Sequence, residues 1–493
     1  MTPSPHRSPN LDARLLRPVA LAALAILSGC AVPPVQPPVP SVPLTAAFAQ
    51  GGLAPVAGQA IDGAWWAGYG DPALTALVEQ ALATNQDVSI ALQRVMQARA
   101  GGDAQDSRLW PTIGLQASAS RSESGLPAPV KQGMPDTRAL RAGVEVAWEI
   151  DLAGGVRAGR DAASADTAAA MAGVAGARLL VASEVVRQYF VLRGAEEQLR
   201  IVQALAAAQR ETAARVASRL REGQASAFDL DRARAEADAL DAQVPSLRTL
   251  AGISQTRLAV LLGRNPSVRV TDDAPSYAWP RTREIGTGQP SELLMRRPDL
   301  IAAEARFAAE TLRGHEARAQ WWPKLFLSAL LGRQDLRLNA QNLAPVHFSN
   351  VALAFAAPLF NAGRIDAGIR AQSARAEEAL LTWQKAVLVA VQEVEDSLLV
   401  RSEETRRGAA LATAVEHRRR SLQHAQSLQR EGQIDLLVLL DVQRSVLSSE
   451  LALSDSRLQQ VLADVQLYKA LGGAFGPPSA SRAMTSATER TPQ

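Results

Sequence analysis

The chain has 493 residues, with 52 Lys+Arg against 49 Asp+Glu for a formal charge of +3, 47% hydrophobic residues, 4% aromatics and one cysteine. This charge balance, with basic blocks such as His417–Arg420 isolated on solvated helix faces, excludes a nucleic-acid-binding protein, and a lone cysteine excludes a disulfide framework. The length allows two domains or one long repeated structure, and a composition led by Ala, Leu, Arg and Gln favours long helices over a large globular core.

In chain order, residues 1–29 read as a lipoprotein signal peptide. Arg7, Arg14 and Arg17 provide a basic start, and Pro18–Leu27 is an apolar run with the length of a signal-peptide core. A membrane-spanning helix needs roughly 20 residues, so this run is too short to be one. It ends in Leu27-Ser28-Gly29-Cys30, which resembles a bacterial lipobox. That resemblance implies lipidation of Cys30, and Ala31 rather than Asp at the next position implies sorting to the outer membrane. Residues 30–62 form a lipid-anchored, Pro-rich linker that cannot be helical. No later stretch is apolar enough for a transmembrane helix. Residues 476–493 are small, polar and proline-containing, and are expected to be a disordered tail.

Between linker and tail the chain repeats itself. At an offset of 209, the Arg221–Gln224 tetrapeptide recurs at Arg430–Gln433, Leu258 meets Leu467, and Glu184-Val185 meets Glu393-Val394. At an offset of 212, Asp87, Ala91 and Arg94 meet Asp299, Ala303 and Arg306, and Pro111 meets Pro323. The first structural repeat is placed at 63–270 and the second at 271–475.

Each repeat predicts a helix, two strands and two long helices. The first helix is expected from about Pro72 to Asp106, with Pro72 in its first turn. Pro111 and Pro323 then stop their helices, because the residue before proline is pushed out of helical geometry. Strands follow at about 112–122 and 140–151, and again at about 324–334 and 347–359, each alternating apolar and polar residues. Val144, Val146, Trp148 and Ile150 oppose Glu145 and Glu149, for example. Strands of this length with one apolar face suit a membrane β-barrel, which must close on itself and starts at about eight strands. Four strands cannot close one, so a barrel here needs several chains.

Past the strands, Val156–Glu222 and Arg364–Glu431 contain no proline and carry a narrow apolar seam, including Val185, Tyr189, Leu192 and Val202 in the first and Val387, Val394, Leu398 and Val415 in the second. At 1.5 Å per residue each reaches about 100 Å, too long for any globular part of this chain to cover. Gly223 and Gly432 cap these helices, since glycine accepts the left-handed conformation a C-terminal cap needs. Returning helices follow, so the two tips, at about 223–228 and 432–437, are turns of helical hairpins.

Trp65–Leu82, Asn85–Arg99, Trp148–Arg157, Arg296–Ala309, Pro358–Ile365 and Glu431–Ser445, in this order behind a lipobox, resemble the TolC-type outer-membrane efflux channels, closest to the lipidated OprM/NodT-like branch. The fold class this implies is a membrane β-barrel joined to a long α-helical coiled-coil barrel (α+β). Three chains share one 12-stranded barrel. The function implied is that of a passive duct in a tripartite efflux system, exporting small toxic compounds. The partners implied are a periplasmic adaptor, an inner-membrane transporter of the RND type and outer-membrane lipid. By the same resemblance Leu437 and Asp441 form the periplasmic gate, an apolar constriction and a carboxylate ring. Gly223, Gln224, Ser226, Gly432, Gln433 and Ile434 are the expected adaptor-contact tips, and Glu145 and Glu149 are expected to line the barrel lumen. Trp65 and Trp66 read as packing residues.

No catalytic residue, metal site or cofactor is expected beyond the lipid on Cys30. His417 and His424 share a helix face without further ligands, His315 lacks the second His of a zinc-protease motif, and Ala153–Gly159 is a strand-to-helix bend. The alternatives are a non-conducting periplasmic scaffold lipoprotein, which has no use for four lipid-length strands, and a same-fold channel for type I secretion.

Overall fold

The computed structural model describes residues 40–49, 64–123, 125, 127, 136–271, 278–280, 285–338 and 341–473, without the side chains of 436 and 437. Cys30, most of the linker and the 476–493 tail lie outside the described residues. The chain divides into two compact units, one comprising Met1–Pro40, Met96–Ala168 and Glu304–Thr382, the other Ser41–Val95, Ala169–Ala303 and Trp383–Gln493.

The first unit holds the sheet. Strands β1 (Thr112–Ser122), β2 (Thr137–Ile150), β3 (Lys324–Leu338) and β4 (Val346–Ala356) lie in that order, all antiparallel, and a two-residue strand, Gln341–Asn342, folds back on the end of β3. The central pair runs longer than the alternation predicted. β2 begins three residues earlier and β3 ends four residues later, because each bonds a neighbour along both edges and the ladder continues from Ile150↔Leu325 to Thr137↔Leu338. β4 stops at Ala356, short of the predicted 359, because Pro358 has no N–H to give a ladder.

Register decides the two faces. Ile113, Val146, Ala329 and Val351 stand in one lateral row, with Leu115, Val144 and Leu331 in the next and Trp148, Leu327 and Leu353 on the other side. The opposite face carries Gln116, Ser118, Glu145, Glu149, Lys324 and Asn350. Gly143 and Gly332 pair across the middle of that polar face, where a Cβ on Gly332 would lie 2.6 Å from the ring of Phe348. The two glycines make room for this ring, and the Arg141 guanidinium sits 5.3 Å from its centroid.

The second unit is helical. The helices of the chain are α1 (Pro72–Thr84), α2 (Gln86–Ser107), α3 (Gly155–Arg221), α4 (Ala227–Asp241), α5 (Val244–Leu261), α6 (Pro298–Ala319), α7 (Arg364–Arg430) and α8 (Leu436–Ala470), with a single turn at Leu293–Arg296. The predicted 72–106 helix is broken at Asn85. Its side-chain oxygen accepts from Asp87 N at 2.7 Å, capping α2, while its amide donates to Leu261 O at 2.9 Å. A short polar side chain that bonds nearby backbone competes with helix continuation. The first returning helix is also broken, between α4 and α5, where Pro245 enters the new first turn. Its counterpart at the 209 offset is Ser454, and α8 runs through it unbroken.

Trp65, Trp66, Leu74, Val185, Tyr189, Phe190 and Leu258 share one buried cluster, and Trp383, Val387, Val394, Leu300 and Leu467 share another. Toward the tips the seam narrows to Ala206, Leu240 and Leu447, then to Ala213, Val216, Leu230 and Ala233. One sequence expectation is corrected here. Helix α3 contains an 18-residue window of mean hydropathy 1.5, apolar enough to cross a membrane by composition. The buried Val181–Leu192 side chains of that helix instead form the centre of the first cluster.

Candidate functional site

The hairpin tips are built by the same backbone device. Gly223 (φ +73°) and Gly432 (φ +76°) adopt the left-handed conformation. In the first tip Gln224 N donates to Arg219 O and Gly223 N to Leu220 O; in the second, Gln433 N donates to Leu428 O and Gly432 N to Gln429 O. These are Schellman closures, which satisfy carbonyls left open at a helix end. Beyond Gly223 the tips differ. Ser226 forms a capping box with Asp229, its Oγ accepting from Asp229 N at 3.1 Å while the Asp229 carboxylate accepts from Ser226 N at 3.0 Å. The Ser226 hydroxyl also donates to the Asp229 carboxylate at 2.6 Å, and this bond first, then the one from Ser226 N, holds the carboxyl below its ordinary value.

Gln224, Gly432, Gln433 and Ile434, four of the six expected tip residues, line one groove of about 660 Å³ together with Arg215, Arg219 and Asp229. Gly223 and Ser226 flank it. Two hairpins some 200 residues apart in sequence therefore present a single polar concavity.

Past the second tip, Leu439 and Leu440 are buried and Val438 is exposed, whereas the Leu437 side chain is outside the described residues. Asp441 is exposed and accepts from Arg444 at 2.7 Å. Arg444 also stands 4.0 Å from Glu236 of α4, linking the second hairpin to the first. The Asp441–Arg444 spacing of three is legible in a helix, but Glu236 is not. Sequence reasoning missed both Arg444 and Glu236.

On the polar face of the sheet Glu149 accepts from Lys324 at 2.8 Å, and Glu145, on the same face, is exposed. Arg141, also on this face, donates to Gln334 at 2.8 Å. The face thus carries both signs of charge, not the two carboxylates alone. Lys324 and Arg141 were missed because only the β2–β3 register brings them beside their partners.

Buried polar pairs hold the helical unit. The Tyr189 hydroxyl donates to Asp71 at 2.6 Å, and burial first, then this carboxylate, pushes the phenol up to about 12. Arg297 donates to Asp299 and Glu393, each at 2.7 Å, and to Ala470 O at 3.1 Å, pinning the start of α6 to both long helices of its repeat. Arg401 of α7 pairs with Asp464 of α8 at 2.5 Å; burial raises the Asp464 carboxyl and Arg401 opposes that rise.

A sheet with one apolar face, too few strands to close, and paired long-helix hairpins defines a protomer of an oligomeric outer-membrane duct. The comparisons with known proteins agree. The family model described as "Outer membrane efflux protein" matches residues 77–264 and again 289–473. The chain belongs to the outer membrane efflux protein family. It is 32% identical to the pyoverdine export outer membrane protein OpmQ of Pseudomonas putida, over 87% of this chain and 94% of that one. It is 28% identical to nodulation protein T of Rhizobium leguminosarum bv. trifolii, over 92% and 96% of the respective chains. Among solved structures it is similar to the outer-membrane channel OprN, with a TM-score of 0.82 and 29% identity over 91% of this chain and 100% of that one. This protein is therefore a TolC-type outer-membrane efflux channel, a trimer whose sheets make one barrel and which works with an adaptor and an inner-membrane pump in a tripartite system. The family is one of ducts, not enzymes.

Proposed function

We propose that this duct exports small toxic compounds delivered by an RND-type pump, and that its conductance is set at the tips of the second hairpins. Cys30 carries the lipid that anchors the linker, no other cofactor is needed, and the chain itself catalyses nothing. Leu437 narrows the periplasmic aperture as an apolar ring that gates by dewetting, and Asp441 supplies a carboxylate ring that favours cations. Gly223, Gln224, Ser226, Gly432, Gln433 and Ile434 receive the adaptor, while Glu145 and Glu149 line the lumen of the barrel. Outer-membrane lipid surrounds the apolar face of the strands. OpmQ, named for pyoverdine export, supports a small-molecule cargo over protein secretion.

The observation that carries this reading is the shared groove of about 660 Å³ at the tips, whose lining reaches Leu439 on the same helix as Asp441, with Asp441 tied through Arg444 toward Glu236. Single-channel conductance of the trimer in planar bilayers tests it. The wild type is expected to pass a small cation-selective current, and Leu437→Ala/Asp441→Ala a larger and less selective one. Equal conductance and selectivity in both proteins would place the constriction elsewhere.

A further inference from the structure

On the apolar face of the sheet, one lateral row is composed of arginines. Arg121 of β1 pairs with Arg138 of β2, and Arg138 pairs with Arg337 of β3. All three are exposed. Like charges placed directly opposite one another destabilise a sheet, so such a row requires a compensating anion. Arg121 has one, Glu123. Among the described residues Arg138 and Arg337 make no ion pair and no side-chain hydrogen bond. Asp335, on the same face two residues from Arg337, is already held by Arg333 at 3.1 Å. Arg121, Arg138 and Arg337, with Leu140, Asp335 and Leu343, line a groove of about 440 Å³.

The height of the row indicates what fills the groove. Along β2 this face stays apolar from Ile150 through Trp148, Val146, Val144 and Ala142 to Leu140, while on β3 the internally paired Arg333 and Asp335 stand beside Ala142 and Leu140. At about 3.3 Å per residue this is about 33 Å of strand. At a tilt of about 40° it spans about 25 Å of membrane, the height of the lipid-facing band in such barrels. Arg138 is the next residue on that face, about 5 Å higher, where headgroups begin. The row also lies at the hairpin ends of the strands, away from the ends that lead into α2, α3, α6 and α7, so it belongs to the outer leaflet.

We propose that this row is a binding site for the phosphate groups of a phosphorylated outer-leaflet lipid. Guanidinium forks match phosphate oxygens in bidentate fashion, so Arg138 and Arg337 hold the phosphate from two strands while Leu140 and Leu343 contact the first carbons of the acyl chains. The site stands on the strands facing lipid and is independent of the gate.

The test uses the full-length trimer in a non-ionic detergent. Binding of bis-phosphorylated lipid A is measured by native mass spectrometry, and the stabilisation it gives by the melting temperature of the trimer. Enzymatically dephosphorylated lipid A and inorganic phosphate serve as comparison ligands. Wild type is expected to bind lipid A and melt at a higher temperature with it. R138Q/R337Q is expected to lose at least tenfold in affinity and most of the shift. R138K/R337K, which keeps the charge without the fork, should bind with intermediate affinity, and this variant also controls for assembly. Unchanged lipid A binding by R138Q/R337Q, or equal binding of the dephosphorylated lipid, would overturn the proposal. Stabilisation by inorganic phosphate alone, without lipid preference, would overturn the assignment to a lipid.

Discussion

Removing Arg444 should open the channel. In each protomer this guanidinium is the charge that faces Glu236 across the two hairpins, at 4.0 Å, with side chains 61% and 35% exposed. Exposed pairs of this kind contribute about 0.2–1 kcal/mol. The bond from Arg444 to Asp441 lies within α8, so it adds nothing to holding α8 against α4. If the three protomers open together, Arg444→Ala removes about 0.6–3 kcal/mol of the bias toward the closed state, which corresponds to about a 3- to 150-fold rise in the open-to-closed ratio. It also leaves Asp441 without its guanidinium, so cation selectivity should increase with conductance. Planar-bilayer recording gives both quantities. Because the pair is exposed, about 1 M salt should raise the wild-type open fraction toward that of the variant, the Debye length there being about 3 Å. A double-mutant cycle with Glu236→Ala isolates the link between hairpins. Two results refute this reasoning: open fractions within twofold at low salt, or strictly additive effects of Arg444→Ala and Glu236→Ala.

Three other predictions concern separate parts of the molecule. Glu149→Gln should leave Lys324 uncompensated on the polar face of the sheet and move the reversal potential in a salt gradient toward anions, and Glu145→Gln, which removes an exposed carboxylate with no ion pair among the described residues, should move it in the same direction. Tyr189→Phe should lower the melting temperature of the trimer, since it removes a hydrogen bond to a carboxylate worth about 1.5–3 kcal/mol. Because the folded phenol is raised to about 12, its contribution is complete below the unfolded value near 10 and is lost as pH rises toward 12; difference ultraviolet titration of wild type against Tyr189→Phe should find the Tyr189 phenol still protonated at pH 11. The Asp229 carboxyl is lowered, so its cap should persist at and above its ordinary value of 3.8 and fail only as pH falls through the lower folded value. Amide exchange in the first turn of α4, corrected for intrinsic rates, should show that profile, and Ser226→Ala should remove the protection at every pH.

Much of the site was legible because its parts are local. The Gly223 and Gly432 tips follow from a glycine after a long unbroken helix, and Ser226 and Asp229 stand at capping-box spacing. Arg444 was missed although it lies one helical turn from Asp441. Less visible were contacts made at a distance. Lys324 meets Glu149 across 175 residues, and Arg141 meets Gln334 across 193. No spacing within a strand announces these pairs. The break at Asn85 was missed for a related reason: its amide is held by Leu261 O, 176 residues away, so an asparagine that reads as one position of a helix became a joint between two.

By itself the sequence determined the repeat, the two alternating strands in each copy, the long seams, and the need for more than one chain, because periodicity, proline stops and glycine caps act over a few residues. Tertiary structure decided which residues stand side by side. An antiparallel register that joins β2 to β3 sets Arg138 opposite Arg337 and Gly143 opposite Gly332, and packing of α4 near α8 brings Glu236 toward Arg444. A shift of one residue in that register would put the Arg138 and Arg337 side chains on opposite faces. Local pattern thus tells which face a strand residue takes, but a charge acquires its partner only when two distant strands or helices have settled their alignment.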